Sequence, residues 1–154
     1  MDENDMEPPA REAWRLMAEM MFNDANQDRF HEACAAAEVS PPQFKGLMSL
    51  DPGNPVPMSV LARAWRCDAS WVTGIVDALE QRGYVVRRTH PTDRRIKVVQ
   101  LTEAGELAKG KAMEVMFDPP PAITELTLKE QKALRDLIRK VRRVADQDFT
   151  PPHP

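Results

Sequence analysis

At 154 residues the chain is long enough for one domain with a real core and too short for two full enzyme domains. Its 42% hydrophobic and 29% charged residues suit a globular fold in water, and no uncharged apolar run approaches the ~20 residues that span a bilayer. Met1 is followed by Asp2, Glu3 and Asp5 instead of a basic leader, and Cys34 and Cys67 are too few and too distant for a disulfide framework or a zinc motif, so a reducing, cytoplasmic setting is expected.

Residues 1–9 are polar, end in Pro8-Pro9 and are expected to form a disordered arm. From Ala10 the periodicity is helical, with Trp14, Met17 and Met21 on one stripe that Leu16 and Met20 widen. It continues, bent near Asn23-Asp24, through Phe30 and Cys34 to Ala37. Ser40-Pro41-Pro42-Gln43 has the form of a capping box that opens a short helix with Phe44, Leu47 and Met48. The turn formers Asp51-Pro52-Gly53-Asn54-Pro55 end it.

Met58 to Trp65 reads as another short helix that buries Leu61, Ala62 and Trp65. Asp68 is placed to cap a helix from Ala69 to Arg82 with the stripe Val72, Ile75, Val76 and Leu79, and Gly83 stands at its C′ position. The period then changes. Tyr84–Thr89 and Ile96–Leu101 are rich in β-branched residues and flank the basic loop His90-Pro91-Thr92-Asp93-Arg94-Arg95, which predicts two strands and a hairpin. Thr102 can cap a helix to about Phe117, interrupted by Asp118-Pro119-Pro120-Pro121. A second capping box, Thr127-Leu128-Lys129-Glu130, opens a long helix with Leu134, Leu137, Ile138, Val141 and Val144 on one face. Residues 149–154 are expected to form a loose tail. The fold class is therefore mainly α with a small β-hairpin (α+β).

The net charge of −3 hides a division along the chain. Residues 1–40 hold three basic against ten acidic side chains. Residues 56–100 hold eight basic (Arg63, Arg66, Arg82, Arg87, Arg88, Arg94, Arg95, Lys97) against four acidic, and residues 101–154 balance at nine each. A basic middle on an acidic chain is the footprint of a nucleic-acid-binding element, although a solvated charged face gives the same count. Two short helices, a tight turn and a hairpin with a basic tip form a winged helix-turn-helix over residues 56–101. The N-terminal turns of its second helix (Ala69, Ser70, Trp71, Thr73, Gly74) would meet base edges, and Arg94 and Arg95 would enter the minor groove.

These residues resemble the MarR family of transcription regulators. The resemblance rests on Leu61-Ala62, on Val72-Thr73 with Leu79-Glu80, on Gly83-Tyr84-Val85, on Asp93-Arg94-Arg95, and on Leu101-Thr102-Glu103-Ala104-Gly105, in order and near family spacing. It covers residues 40–106 in detail. It implies a single domain over residues 10–148, dimerised through residues 10–37 and 103–146, that binds palindromic double-stranded DNA. The implied contacts are Arg66, Ala69, Ser70, Trp71, Thr73, Gly74, Arg88, Asp93, Arg94, Arg95 and Lys97, with Asp93 holding Arg95 for minor-groove insertion. It also implies a repressor released by an aromatic or phenolic effector, whose candidate contacts are Trp14, Met17, Met21, His31, Phe44 and Met48.

Three positions depart from the pattern. Arg66 stands where Gly is common, in the turn between the two helices; if the turn needs positive φ, Arg66 accepts a cost of about 1 kcal/mol, or the turn differs. Trp71 and Gly74 replace a polar and a basic residue. Two other readings stay open: a winged-helix interaction module without DNA binding, suggested by Gly74 and the acidic N-terminal region, and a redox-sensing regulator that uses Cys34. Cys67 reads as a small buried hydrophobe. Neither an enzyme, a cofactor nor a metal site is expected, since no phosphate loop, catalytic triad or ligand spacing rises above background.

Overall fold

The computed structural model describes residues 8–148, and the side chains up to residue 145. The expected tail and all but the end of the expected N-terminal arm lie outside the described residues. The chain forms two compact units that meet in sequence between Phe117 and Asp118.

The first unit opens with α1 (Pro9–Met21) and α2 (Asp24–Ala36), two helices where one bent helix was expected. Asn23 separates them: its side chain accepts the Asn26 N–H at 2.9 Å and so caps α2. α2 ends without glycine. Glu38 takes φ 54°, the Val39 N–H bonds back to the Cys34 carbonyl at 2.9 Å, and Val39 is buried, which closes the helix as a glycine would. α3 (Pro41–Met48) starts at the predicted box, with Gln43 Oε1 accepting the Ser40 N–H at 3.0 Å.

α4 (Met58–Trp65) and α5 (Ala69–Gln81) follow the predicted bounds to within a residue. So do β2 (Val85–Thr89) and β3 (Lys97–Leu101), paired antiparallel from Val85↔Leu101 to Thr89↔Lys97. The sheet has a third strand that the sequence reading missed. β1 (Val56–Pro57) lies on the outer side of β3, in register Val56↔Val99 and Pro57↔Val98. Two residues, one of them proline, carry no strand periodicity, and an edge position is where proline's missing N–H is tolerated.

The core joins Ala33, Cys34 and Ala37 of α2 to Phe44 and Leu47 of α3, Leu61 and Trp65 of α4, the whole predicted stripe of α5, and Val85, Val99 and Leu101 of the sheet. α6 (Glu103–Phe117) adds Ala108 and Ala112. Its start is built by the Leu-Thr-x-x-Gly motif. Thr102 Oγ1 donates to the Gly83 carbonyl at 2.6 Å and accepts the Gly105 N–H at 3.1 Å, while the Thr102 N–H bonds the Tyr84 carbonyl at 3.0 Å. A Cβ on Gly105 would stand 2.0 Å from that same carbonyl oxygen, so only glycine lets α6 approach the segment after α5 this closely.

The second unit holds α7 (Pro121–Thr124) and α8 (Leu128–Asp148). The predicted capping box starts α8: Glu130 Oε2 accepts both the Thr127 N–H (2.8 Å) and its hydroxyl (2.6 Å). Leu137, Ile138, Val141 and Val144 each remain more than half exposed.

Candidate nucleic-acid interface

The turn between α4 and α5 needs the left-handed conformation, and Arg66 supplies it at φ 52°, ψ 47°. The Arg66 N–H reaches the Arg63 carbonyl and the Cys67 N–H the Ala62 carbonyl, both at 3.2 Å, so the backbone is satisfied while the guanidinium is carried outward. The strain costs about 1 kcal/mol. Asp68 then caps α5, accepting the Trp71 N–H at 2.9 Å and the Ser70 hydroxyl at 2.5 Å. Hydrogen bonds from the Ser70 side chain and the Trp71 N–H hold the Asp68 carboxyl below the usual aspartate range.

Ala69, Ser70, Trp71, Thr73 and Gly74 are all exposed on the first two turns of α5. The Thr73 hydroxyl donates to the Ala69 carbonyl at 2.8 Å. Both hydroxyl protons on this face are therefore committed inward, leaving acceptor lone pairs for a partner. No atom lies within 4 Å of a Cβ built on Gly74, so the face is open there. Trp71 stands 42% exposed with its ring held edge-on to Trp65 (6.3 Å, 88°) and the Lys45 ammonium 6.0 Å from its centroid. Trp65 is itself fixed by its Nε1 donating to Ser49 Oγ at 2.9 Å. The sequence reading missed Lys45, since nothing local links it to a residue 26 positions on.

On the wing, His90 and Ile96 close the hairpin through an N–H to carbonyl bond of 2.9 Å. The resemblance implied that Asp93 grips the Arg95 guanidinium. Here Asp93 Oδ1 accepts the Arg95 backbone N–H at 3.0 Å, so the aspartate orders the wing tip through the main chain. Arg88, Arg94, Arg95 and Lys97 are exposed, with Lys97 Nζ 3.1 Å from Thr89 Oγ1.

The lobe's charge has a simple logic. Its four carboxylates are all engaged internally: Asp68 caps α5, Asp93 caps the wing turn, and Asp77 and Glu80 both pair with Arg87 at 2.5 Å. Among the described residues, Arg63, Arg66, Arg82, Arg88, Arg94, Arg95 and Lys97 make no ion pair and are exposed. Arg87 alone among the eight basic side chains is spent inside the lobe, which the charge count could not reveal.

The effector candidates do not share one environment. Phe44 is core, packed edge-on against Phe30 at 5.1 Å, and Met48 is half-buried beside it. His31 is exposed, as are Trp14, Met17 and Met21 on α1, a helix with no buried residue. Cys34 is buried and burial pushes its thiol up, the opposite of an activated thiolate, while Cys67 is half-buried against the core.

Two short helices at a tight turn, followed by an antiparallel hairpin with a cationic tip, define a winged helix-turn-helix protein. Residues 39–97 match the model of the MarR family. The HTH-type transcriptional regulator YfiV of Bacillus subtilis is 33% identical over 103 residues, which cover 67% of this chain and 63% of that protein. The chain thus spans under two thirds of the length of that relative. A transcriptional regulator from Thermotoga maritima has the same fold at a TM-score of 0.74 and 23% identity, over 92% of this chain and 99% of that one. A MepR variant of Staphylococcus aureus, solved bound to an oligodeoxyribonucleotide, matches at 0.62 and 15% identity, over 90% and 99%. No helix among the described residues is long and apolar enough to cross a membrane.

Proposed function

We propose that this chain is a homodimeric, cytoplasmic transcription regulator that binds palindromic double-stranded DNA, acting as a repressor released by a small aromatic effector. The observation that carries the DNA reading is the division of charge in the lobe: every carboxylate is engaged by a cap or by Arg87, and, among the described residues, seven cations are exposed without an ion pair. A winged helix whose purpose was to dock a protein has no need of that arrangement. Arg94 and Arg95 at the wing tip suit a minor groove, and the open N-terminal turns of α5 suit a major groove. The MepR relative held on DNA supports the same assignment.

Dimerisation is supported by apolar faces that this chain leaves uncovered: Trp14, Met20 and Phe22 around α1, Leu107 and Phe117 on α6, and Leu137, Ile138 and Val141 on α8. Faces of that extent are seldom left to water. Two copies would place two α5 helices on successive major grooves, about 34 Å apart. An effector acts by favouring one spacing of these helices over another, so it must bind the two states unequally. The uncovered thioethers of α1 (Met17, Met20, Met21) are adaptable contacts for an aromatic acid.

The test is fluorescence anisotropy with the duplex upstream of the chain's own gene against a scrambled duplex of equal length. Tighter binding to the first, relaxed by an aromatic acid such as salicylate, is expected. Equal and negligible binding to both at low salt overturns the reading.

A further inference from the structure

Arg87 is the one basic side chain of the lobe that faces the recognition helix instead of solvent. From β2 it spans three successive turns of α5: Nη2 donates to the Thr73 carbonyl (3.3 Å) and to Asp77 Oδ1 (2.5 Å), Nη1 to Glu80 Oε2 (2.5 Å). Its backbone N–H also donates to Glu80 Oε1 at 3.0 Å. The guanidinium is 24% exposed, whereas Asp77 and Glu80 are 50% and 40% exposed. Ser70, Thr73, Gly74, Asp77 and Glu80 are all exposed and recur at helical spacing, so the two carboxylates continue the stripe that begins with the proposed base-reading residues.

We infer that Arg87 is a positioning residue for DNA binding: it pairs with Asp77 and Glu80 on the DNA-facing stripe of α5, offsetting one of their two charges, and ties that helix to the wing, without touching DNA itself. This rests on the DNA-binding reading above. Planar forked donors suit the task, because one guanidinium can satisfy two carboxylates and a carbonyl at once where an ammonium makes a single point contact. The fold does not depend on the clamp. Val72, Ile75, Val76 and Leu79 anchor α5 in the core, and Val85 anchors β2.

Loss of one unit of positive charge about 6 Å from a phosphate costs about threefold in affinity at the dielectric of water. Arg87→Gln in the full-length chain is therefore expected to weaken binding to a scrambled duplex about threefold near 50 mM salt and less than about 1.5-fold near 300 mM, where the charges are screened. Adding Asp77→Asn to Arg87→Gln restores the wild-type net charge and should recover most of that loss. Arg87→Lys, which keeps the charge, should stay within about 1.5-fold of wild type, and thermal midpoints are recorded for every variant.

A loss of equal size at all salt concentrations would mean that Arg87 only supports the fold. A double variant no better than Arg87→Gln would mean that Arg87 contacts the duplex directly; either result overturns the inference. Wild-type protein that binds no duplex at low salt overturns the DNA-binding reading itself, a distinct outcome because it appears before any variant is compared.

Discussion

Gly105 and Gly110 lie on the same helix, and replacing each by alanine should change stability in opposite directions. On Gly105 the new methyl would be built 2.0 Å from the Tyr84 carbonyl oxygen, 2.9 Å from its carbon and 3.0 Å from Leu101 Cδ2. Two of those atoms are backbone, so no rotamer change relieves the contact. α6 must move by more than 1 Å, roughly the deficit against an ordinary contact. That displacement breaks the Thr102 N–H to Tyr84 bond and the Thr102 hydroxyl to Gly83 bond, worth about 1 kcal/mol each, and adds overpacking of about 1–3 kcal/mol. Against this, alanine gains at most ~1 kcal/mol of helix propensity. The net loss is about 3 kcal/mol, or roughly 6–12 °C in thermal midpoint for a chain of this size. At Gly110 no atom lies within 4 Å of the built Cβ, so only the propensity gain remains: about 1 kcal/mol and 2–4 °C upward. Urea and thermal unfolding followed by circular dichroism, at matched protein concentration, measure both. Two variants that shift together in either direction would refute the close approach of α6 to Tyr84.

Asp68→Ala should lower the thermal midpoint at neutral pH, because the folded carboxyl sits below its usual range through bonds from Ser70 and Trp71; its contribution is present above the unfolded pKa and lost as pH falls through the folded one, so the two proteins should converge in strong acid. Convergence failing on an acid titration of the midpoint would remove Asp68 as the cap. Arg95→Ala should weaken matched and scrambled duplexes alike and reduce the salt slope by about one, read by anisotropy over a salt series; an unchanged slope would sink the wing assignment. The full-length chain should sediment as a dimer at micromolar concentration, and deletion of residues 127–154 should give aggregated protein; a soluble folded monomer in either case would contradict the proposed role of the uncovered faces.

What could be read in the sequence was whatever is decided within one turn of chain. Ser40 with Gln43, Asp68 with Trp71, Thr127 with Glu130 and Gly83 after α5 are local bonds between near neighbours, and periodicity alone assigned the buried stripe Val72, Ile75, Val76 and Leu79. The conformation of Arg66 was legible only as one of two alternatives: glycine in the family pattern suggested a positive φ or a different turn, and the structure has the positive φ. Long-range pairing was not legible. Charge counting treated Arg87 as one more cation for DNA, yet strand register places it against Asp77 and Glu80, ten and seven residues back. Lys109, counted in a neutral C-terminal segment, caps α3 instead, with Nζ donating to the Leu50 carbonyl at 2.5 Å across 59 residues of chain. The same reasoning explains why a net charge of −3 is no argument against DNA binding. What a phosphate backbone meets is the set of cations left after internal pairing, and in this lobe Arg87 alone is taken up, by Asp77 and Glu80, while Asp68 and Asp93 serve as caps and seven cations stay exposed.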